Sequence, residues 1–194
     1  MSHKIPRIPT FTGLKGIDTR IQQLQTRLAS QISWLQYSFG LCQPVLKQVG
    51  EDEIIIPVCH VDNTTDAYDM RPWLDDSHNS YSFWDMIDMN PDYVENYSYR
   101  RYPALHYSVA CIIIVNLDSI GSDYKDNRSQ VRQDILNFFH NNIRLYGMFE
   151  MTAMIERDIE LIFDGYDIED PLILLRDNTA AFRVEGVVTF KQDC

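Results

Sequence analysis

Residues 104–117, Ala-Leu-His-Tyr-Ser-Val-Ala-Cys-Ile-Ile-Ile-Val-Asn-Leu, form the longest apolar and β-branched run in the chain. A strand with one buried face alternates, whereas a strand buried on both faces reads as an unbroken apolar run, and Val109 to Val115 is unbroken. The pattern predicts a central strand with cover on both faces. Upstream, Ile21, Leu24, Leu28, Ile32, Leu35 and Phe39 recur at three- and four-residue steps, which predicts a long amphipathic helix with Asp18 as its N-cap and Gly40 as its stop. Residues 45–49 and 53–61 read as two strands of a hairpin, and Pro57, which has no N–H to give to a ladder, points to an edge or a bulge.

Residues 62–103 show no sustained period and are rich in Asp, Asn, Ser, Tyr and Trp, so they read as an insertion. Its nine aromatics (Tyr68, Trp73, Tyr81, Phe83, Trp84, Tyr93, Tyr97, Tyr99 and Tyr102) are too many for a disordered linker, and residues 80–86 within it add a short strand. Past the central strand, Asn127 and Gln130 resemble a capping box ahead of Val131, Ile135, Phe138 and Phe139, giving a second helix that ends near Asn142. Residues 148–155 read as a strand, 157–163 as a short helix closed by Gly165, and 172–175 as a strand opened by Pro171. The alternation over 180–190 places Phe182, Val184 and Phe190 on one face against Arg183, Glu185, Thr189 and Lys191 on the other, with a bulge at Gly186. The whole is an α+β fold, a mixed sheet with a long N-terminal helix and two shorter helices. Residues 1–16, holding Pro6, Pro9, Gly13 and Gly16, form an extended arm, and 17–194 a single domain carrying the aromatic and acidic insertion.

Charge changes this picture more than composition does. The net charge of −11 opposes sustained binding to nucleic acid, which needs Lys and Arg to replace counterions along the phosphates. Residues 1–50 carry six Lys/Arg against one Asp, while 51–98 carry one Arg against twelve Asp/Glu. A basic segment and an acidic one in the same chain pair either within the monomer or between copies. No apolar run reaches the roughly 20 residues that a membrane-spanning helix requires, and the N-terminus has no apolar block of the signal-peptide kind, so the chain is expected to be made in cytoplasm and to use no membrane. Cys42, Cys59, Cys111 and Cys194 are scattered without a Cys-x-x-Cys pair, which reads as four reduced thiols.

Candidate chemistry is sparse. Cys59 and His60 are adjacent, so on a strand they point to opposite faces and do not share one ion, and no further His or Cys stands at ligand spacing. Asp62, Asp66, Asp69, Asp75 and Asp76 lack the order of a calcium loop and read as a solvated acidic face. The Gly13-Leu-Lys-Gly16 cluster follows no strand and lacks the Gly-Lys-Ser/Thr ending of a phosphate loop. His106 reads as a core histidine bonded to a neighbour, and His140 as a cation at the end of the second helix. No cofactor, metal or catalytic set is expected, and an enzyme is the third reading.

The order of elements, from the first helix through the hairpin, insertion, central strand, helix, strand and short helix to the closing strand, resembles that of the tail-terminator and head-tail connector proteins of tailed bacteriophages. The local matches are Arg157-Asp-Ile-Glu-Leu-Ile-Phe-Asp-Gly-Tyr166, the strand at 172–175 and Phe182-Arg-Val-Glu-Gly-Val-Val-Thr-Phe190. A composition rich in Tyr, Asn, Asp and Ile is similar to proteins of crAss-like phages of gut bacteria. The resemblance implies a tail-terminator-like fold and a homo-oligomeric ring in the neck or tail of a virion. Such a ring touches portal, neck or tail proteins and passes genome DNA without sequence-specific binding. It carries no catalytic residues. A head-to-tail ring needs two unlike patches; the candidates are Lys4, Arg7, Lys15, Arg20 and Arg27 on one side, and Asp62, Asp66, Asp69, Trp73, Asp75 and Asp76 on the other. The runner-up is a monomeric module that binds a protein or ligand through the aromatics of 62–103.

Overall fold

The structure, a computed structural model, describes residues 8, 11–49, 51–60, 68–70, 79–88, 92–94, 104–120, 128–146, 149–167 and 178–191. The elements run α1 (Ile17–Gln31), β1 (Tyr37–Val49), β2 (Asp52–His60), β3 (Tyr68–Met70), β4 (Ser80–Met86), β5 (Asp92–Val94), β6 (Ala104–Asn116), α2 (Arg128–Tyr146), β7 (Glu150–Glu156), α3 (Ile159–Ile162) and β8 (Thr179–Lys191). The class is α+β with a mixed sheet. Strands lie in the order β3-β2-β1-β4-β6-β8-β7, with β5 also on β6; β1 and β4 run parallel and the other paired neighbours antiparallel.

The strand predicted to be central is β6. It pairs β8 along its whole length on one side and β4 and β5 on the other, and Val109 through Val115 are fully buried. Period-two alternation divides its side chains between two layers. Val109, Cys111, Ile113 and Val115 meet Ile21, Leu24 and Leu28 of α1 and Val131, Ile135 and Phe139 of α2, while Ile112 and Ile114 meet Ile162 and Phe163 at α3. The sheet is thus covered by two long helices on one face and by α3 with its flanking loop on the other.

Several expectations are corrected. The first helix spans 15 residues and is shorter than α2, with 19. It starts after Gly16, whose positive φ serves the N-cap position, so Asp18 sits in the first turn instead of capping it. It stops at Gln31, because Ile32 is extended; Leu35 and Phe39 continue the apolar rhythm from a turn and from β1. Burial of consecutive elements against one core extended the period beyond the helix, and Gly40 lies within β1 instead of ending a helix. The second helix runs to Tyr146, which leaves His140 exposed in its middle and away from the negative end.

The segment 62–103 is not wholly an insertion: β4 lies inside the sheet between β1 and β6, and Tyr81, Phe83 and Trp84 are fully buried. β4 is the short strand expected at 80–86, and its buried serines are both bonded. Ser80 Oγ donates to Trp34 O at 2.8 Å, and Ser82 Oγ donates to Ser38 Oγ at 2.8 Å. Gln25 of α1 continues this buried line by donating from Nε2 to Ser38 O. A buried polar group is tolerable only with such partners.

The bulge expected at Gly186 is on the opposite strand. β8 keeps unbroken register with β6, and the shift falls in β7 between Met151 and Ala153. Gly186 is required because the Phe149 ring and Glu150 O stand where a Cβ would project. The capping box at Asn127, the strand at 172–175, and the arm apart from Ile8 and residues 11–16 lie outside the described residues.

Candidate functional site

The hairpin sets the first part of the site. Pro44 and Pro57 face one another across β1 and β2, and since neither has an N–H, this must be a pair that exchanges no backbone hydrogen bonds. Pair types alternate along an antiparallel ladder, so Cys42 and Cys59, two residues nearer the sheet, form another non-bonded pair. Their Cα atoms are 4.5 Å apart, matching that pair type, and they are joined by a disulfide. The expectation of four reduced thiols is therefore corrected: β-register brings together two cysteines 17 residues apart, a juxtaposition that a search for Cys-x-x-Cys does not detect. Cys111 stays a free, buried thiol on the helix-covered face, with its pKa pushed well above the usual thiol range by burial. Cys194 lies outside the described residues.

β1 last pairs β4 at Leu41, and β2 pairs β3 only at Cys59 and His60. Between these points, from Gln43 to Val58, the hairpin strands pair only with each other among the described residues, and Leu46 is 60% exposed. This stretch is a two-stranded ribbon running past the last sheet contact, exposed at Leu46 on one side and buried at Ile54, Ile56 and Val58 on the other. The prolines fit because their missing N–H groups face outward, where no strand needs them.

The second part is a cluster of charges on the α3 face. Asp85 of β4, Ala110 of β6 and Glu185 of β8 are aligned across the sheet, and Arg183 lies two residues from Glu185 on the same face. The small Ala110 leaves room between the two carboxylates. Arg183 is 2% exposed; its Nε meets Glu185 Oε1 at 2.8 Å, and its Nη1 lies 3.9 Å from Asp85 Oδ2 and donates to Ile162 O at 3.3 Å. Tyr166 donates its hydroxyl to Asp85 Oδ1 at 2.9 Å, and Met86 N donates to the same oxygen at 2.9 Å. Burial raises the Asp85 pKa, against the lowering effects of Tyr166, Arg183 and the Met86 N–H. Burial and the neighbouring Asp85 raise Tyr166.

A strap joins the two parts. It leaves β7 through Arg157, held at φ 72°, forms α3 with Asp158 Oδ1 accepting from Leu161 N at 3.2 Å, and turns at Gly165, whose φ of 88° suits a glycine. It then sets Tyr166 on Asp85 and Asp167 on the ribbon. Ile55 N donates to Asp167 Oδ2 at 2.8 Å, and Asp167 N donates to Ile55 O at 2.8 Å. Ile55 faces Leu46 in a non-bonded pair, so both of its backbone groups point outward, and Asp167 satisfies both. Tyr166 is thus bonded to Asp85, and Arg183 to Glu185 and Ile162 O while pairing its charge with Asp85, and what the arrangement does is fasten the strap and ribbon to the sheet.

Four of the predicted interface residues are among those described, on or beside two different elements. Lys15 is exposed ahead of α1; Arg20 and Arg27 share one side of that helix, with Arg20 Nη1 donating to Gln23 Oε1 at 3.1 Å. Asp69 belongs to β3 beside β2. Lys4, Arg7, Asp62, Asp66, Trp73, Asp75 and Asp76 lie outside the described residues. His106 has a buried Nε2 that finds no hydrogen-bond partner among the described residues. Sequence reasoning assigned Arg183 and Glu185 to a polar face and did not single out Asp85, Tyr166 or Asp167. The available signal was Arg183 itself, a lone cation within Ala-Ala-Phe-Arg-Val, where strand burial demands a partner.

Among the described residues, no three His, Cys, Asp or Glu side chains converge as a metal site, and no helix is long and apolar enough to cross a membrane. No protein-family model matches the chain, and no curated protein matches it.

Proposed function

We propose that this chain is a structural subunit of a ring at the head-tail junction of a tailed bacteriophage. As a neck, connector or tail-terminator protein it joins the portal side to the tail and lets DNA pass. The observation that carries the reading is the ribbon. A covered sheet with a hairpin extending past its last sheet contact, anchored at its root by Cys42–Cys59 and on its flank by Asp167, has the body and the arm that a subunit needs to reach its neighbour. The charge of −11 supports a conduit, since a lumen lined with like charge repels phosphate. The reading assigns no catalytic role to the chain: the cluster of buried charges seen among the described residues is engaged in holding the strap.

The alternative, a monomeric module binding through the aromatics of 62–103, loses part of its basis because Tyr81, Phe83 and Trp84 are core residues of β4. Quantitative mass spectrometry of purified virions, with electron microscopy of the isolated protein, tests the ring. Many copies per particle and annular oligomers are expected; a protein that stays monomeric and is absent from particles refutes it.

A further inference from the structure

We propose that the Cys42–Cys59 bond is a redox-timed staple, open while the subunit is made and assembled and closed afterwards, which then clamps the two ribbon strands together where they leave the sheet. The timing rests on the ring reading above; the staple itself rests on its position. Cys42 directly follows Leu41, the last residue of β1 paired to β4, and Cys59 is where β2 meets β3. The β1–β2 register ends at this pair, whose backbones exchange no hydrogen bonds, so the disulfide is the final cross-strand link at the ribbon's root. Without it, the ladder toward the sheet ends at Gln43 and Val58, and the root of the ribbon is held only by that ladder and, farther out, by Asp167.

The surroundings favour this one pairing. Both sulfur-bearing residues are buried, in a cluster with Phe39, Tyr81, Phe83, Ile162 and Phe163, so a reagent reaches them when the α3 strap lifts. Cys111 cannot exchange with them, because it points to the opposite face with the sheet between. Disulfides are disfavoured in a reducing cytosol and persist in oxidising surroundings. In the closing step the two thiols lose two protons and two electrons, the S–S bond forms, and dissolved oxygen takes them up as hydrogen peroxide. A dithiol reductant reverses the step, becoming a disulfide itself.

Two measurements test this. Thiols are alkylated inside producing cells and, separately, after exposure of the purified protein to air, and peptides holding Cys42 and Cys59 are weighed. Both cysteines should be alkylated in cells and joined after air. Hydrogen exchange is then compared between the air-oxidised protein, the same protein reduced with a phosphine, and the Cys42→Ser/Cys59→Ser variant. Ribbon amides over 43–58 should exchange about tenfold or more slowly in the oxidised form, with β6 and β8 unchanged, and the variant should match the reduced protein. Should the variant not fold, the oxidised and reduced wild type decide the matter. A bond already present in cells, a bond that never forms in air, or equal ribbon exchange in both redox states overturns the proposal. Failure of the ring reading shows separately, as absence from particles, whatever the thiols do.

Discussion

Both faces of the sheet bury apolar side chains, but among the described residues the α3 face also buries a cluster of charges. On the α1 and α2 face, β6, β4 and β8 present Val109, Ile113, Trp84, Phe182 and Val184 to Leu24, Leu28, Ile135 and Phe139, contacts made by carbon. Such packing has no direction, tolerates many arrangements, and gains stability roughly in proportion to area removed from water. On the α3 face the same strands present Asp85, Arg183 and Glu185, and the strap is held by directed bonds from Tyr166 and Asp167. Buried charges cost desolvation and give little net stability, but they penalise every wrong arrangement. Carbon packing thus holds both faces, with Phe39, Tyr81, Phe83, Ile112 and Phe163 buried under the strap, and the directed bonds of the α3 face add where the strap and ribbon lie.

Five substitutions test that division. The largest effect is expected from Ile113→Asp, which places an unpaired charge at a fully buried position of the helix face. A cost of several kcal/mol against a total stability of roughly 5–15 should leave no cooperative thermal transition. A soluble variant that melts cooperatively would disprove the central place given to β6.

Next, Arg183→Ala removes the only cation of the other face's cluster and strands Asp85 beside Glu185; about 3 kcal/mol should be lost in urea unfolding. The acid itself supplies a pH signature. The folded-state pKa of Asp85 lies above 3.8, so the native state takes up a proton before the unfolded state does. Its contribution is unfavourable above the folded pKa, and that penalty is relieved as pH falls toward 3.8. Wild type should therefore gain stability relative to Asp85→Asn between neutral pH and about pH 4. A difference that is flat or moves the other way contradicts the burial argument.

Gly186→Ala tests packing on the helix face without adding charge. The new Cβ meets the Phe149 ring and Glu150 O, and overpacking of this kind costs about 1–3 kcal/mol, to be read from the denaturant midpoint. The smallest effect belongs to Asp158→Ala, which removes the side-chain cap of α3. It should cost about 1 kcal/mol and speed amide exchange in the strap while leaving β6 and β8 protected, which distinguishes a fastening from a core.

The helix face was legible because its residues repeat at short, regular intervals. The run 109–115 marked β6, Val131 to Phe139 marked α2, and the Phe182–Val184 alternation marked β8; each depends on residues within one or two turns or pleats of each other. The strap face was not legible. Tyr166 and Asp85 are 81 residues apart, and Ile55 and Asp167 are separated by 112; no local rhythm connects them. β4 lay between these cases: the short strand was legible at 80–86, but its place inside the sheet was not, because Ser80 and Ser82 are tolerable there only with partners from Trp34 and Ser38.

What the sequence determined by itself is the class of fold, the central strand, two of the three helices to within a turn or so, and the existence of the hairpin. These follow from hydrophobic periodicity, a property each segment carries alone. Only the tertiary structure decided that the first helix ends before Leu35, that Cys42 meets Cys59, and that Arg183 is buried with Asp85 and Glu185. The physical reason is that burial and pairing belong to two segments at once. A charged or small polar residue looks solvent-facing until the chain that covers it is in place, and a cysteine's partner is set by strand register, which the ladder fixes only when it closes.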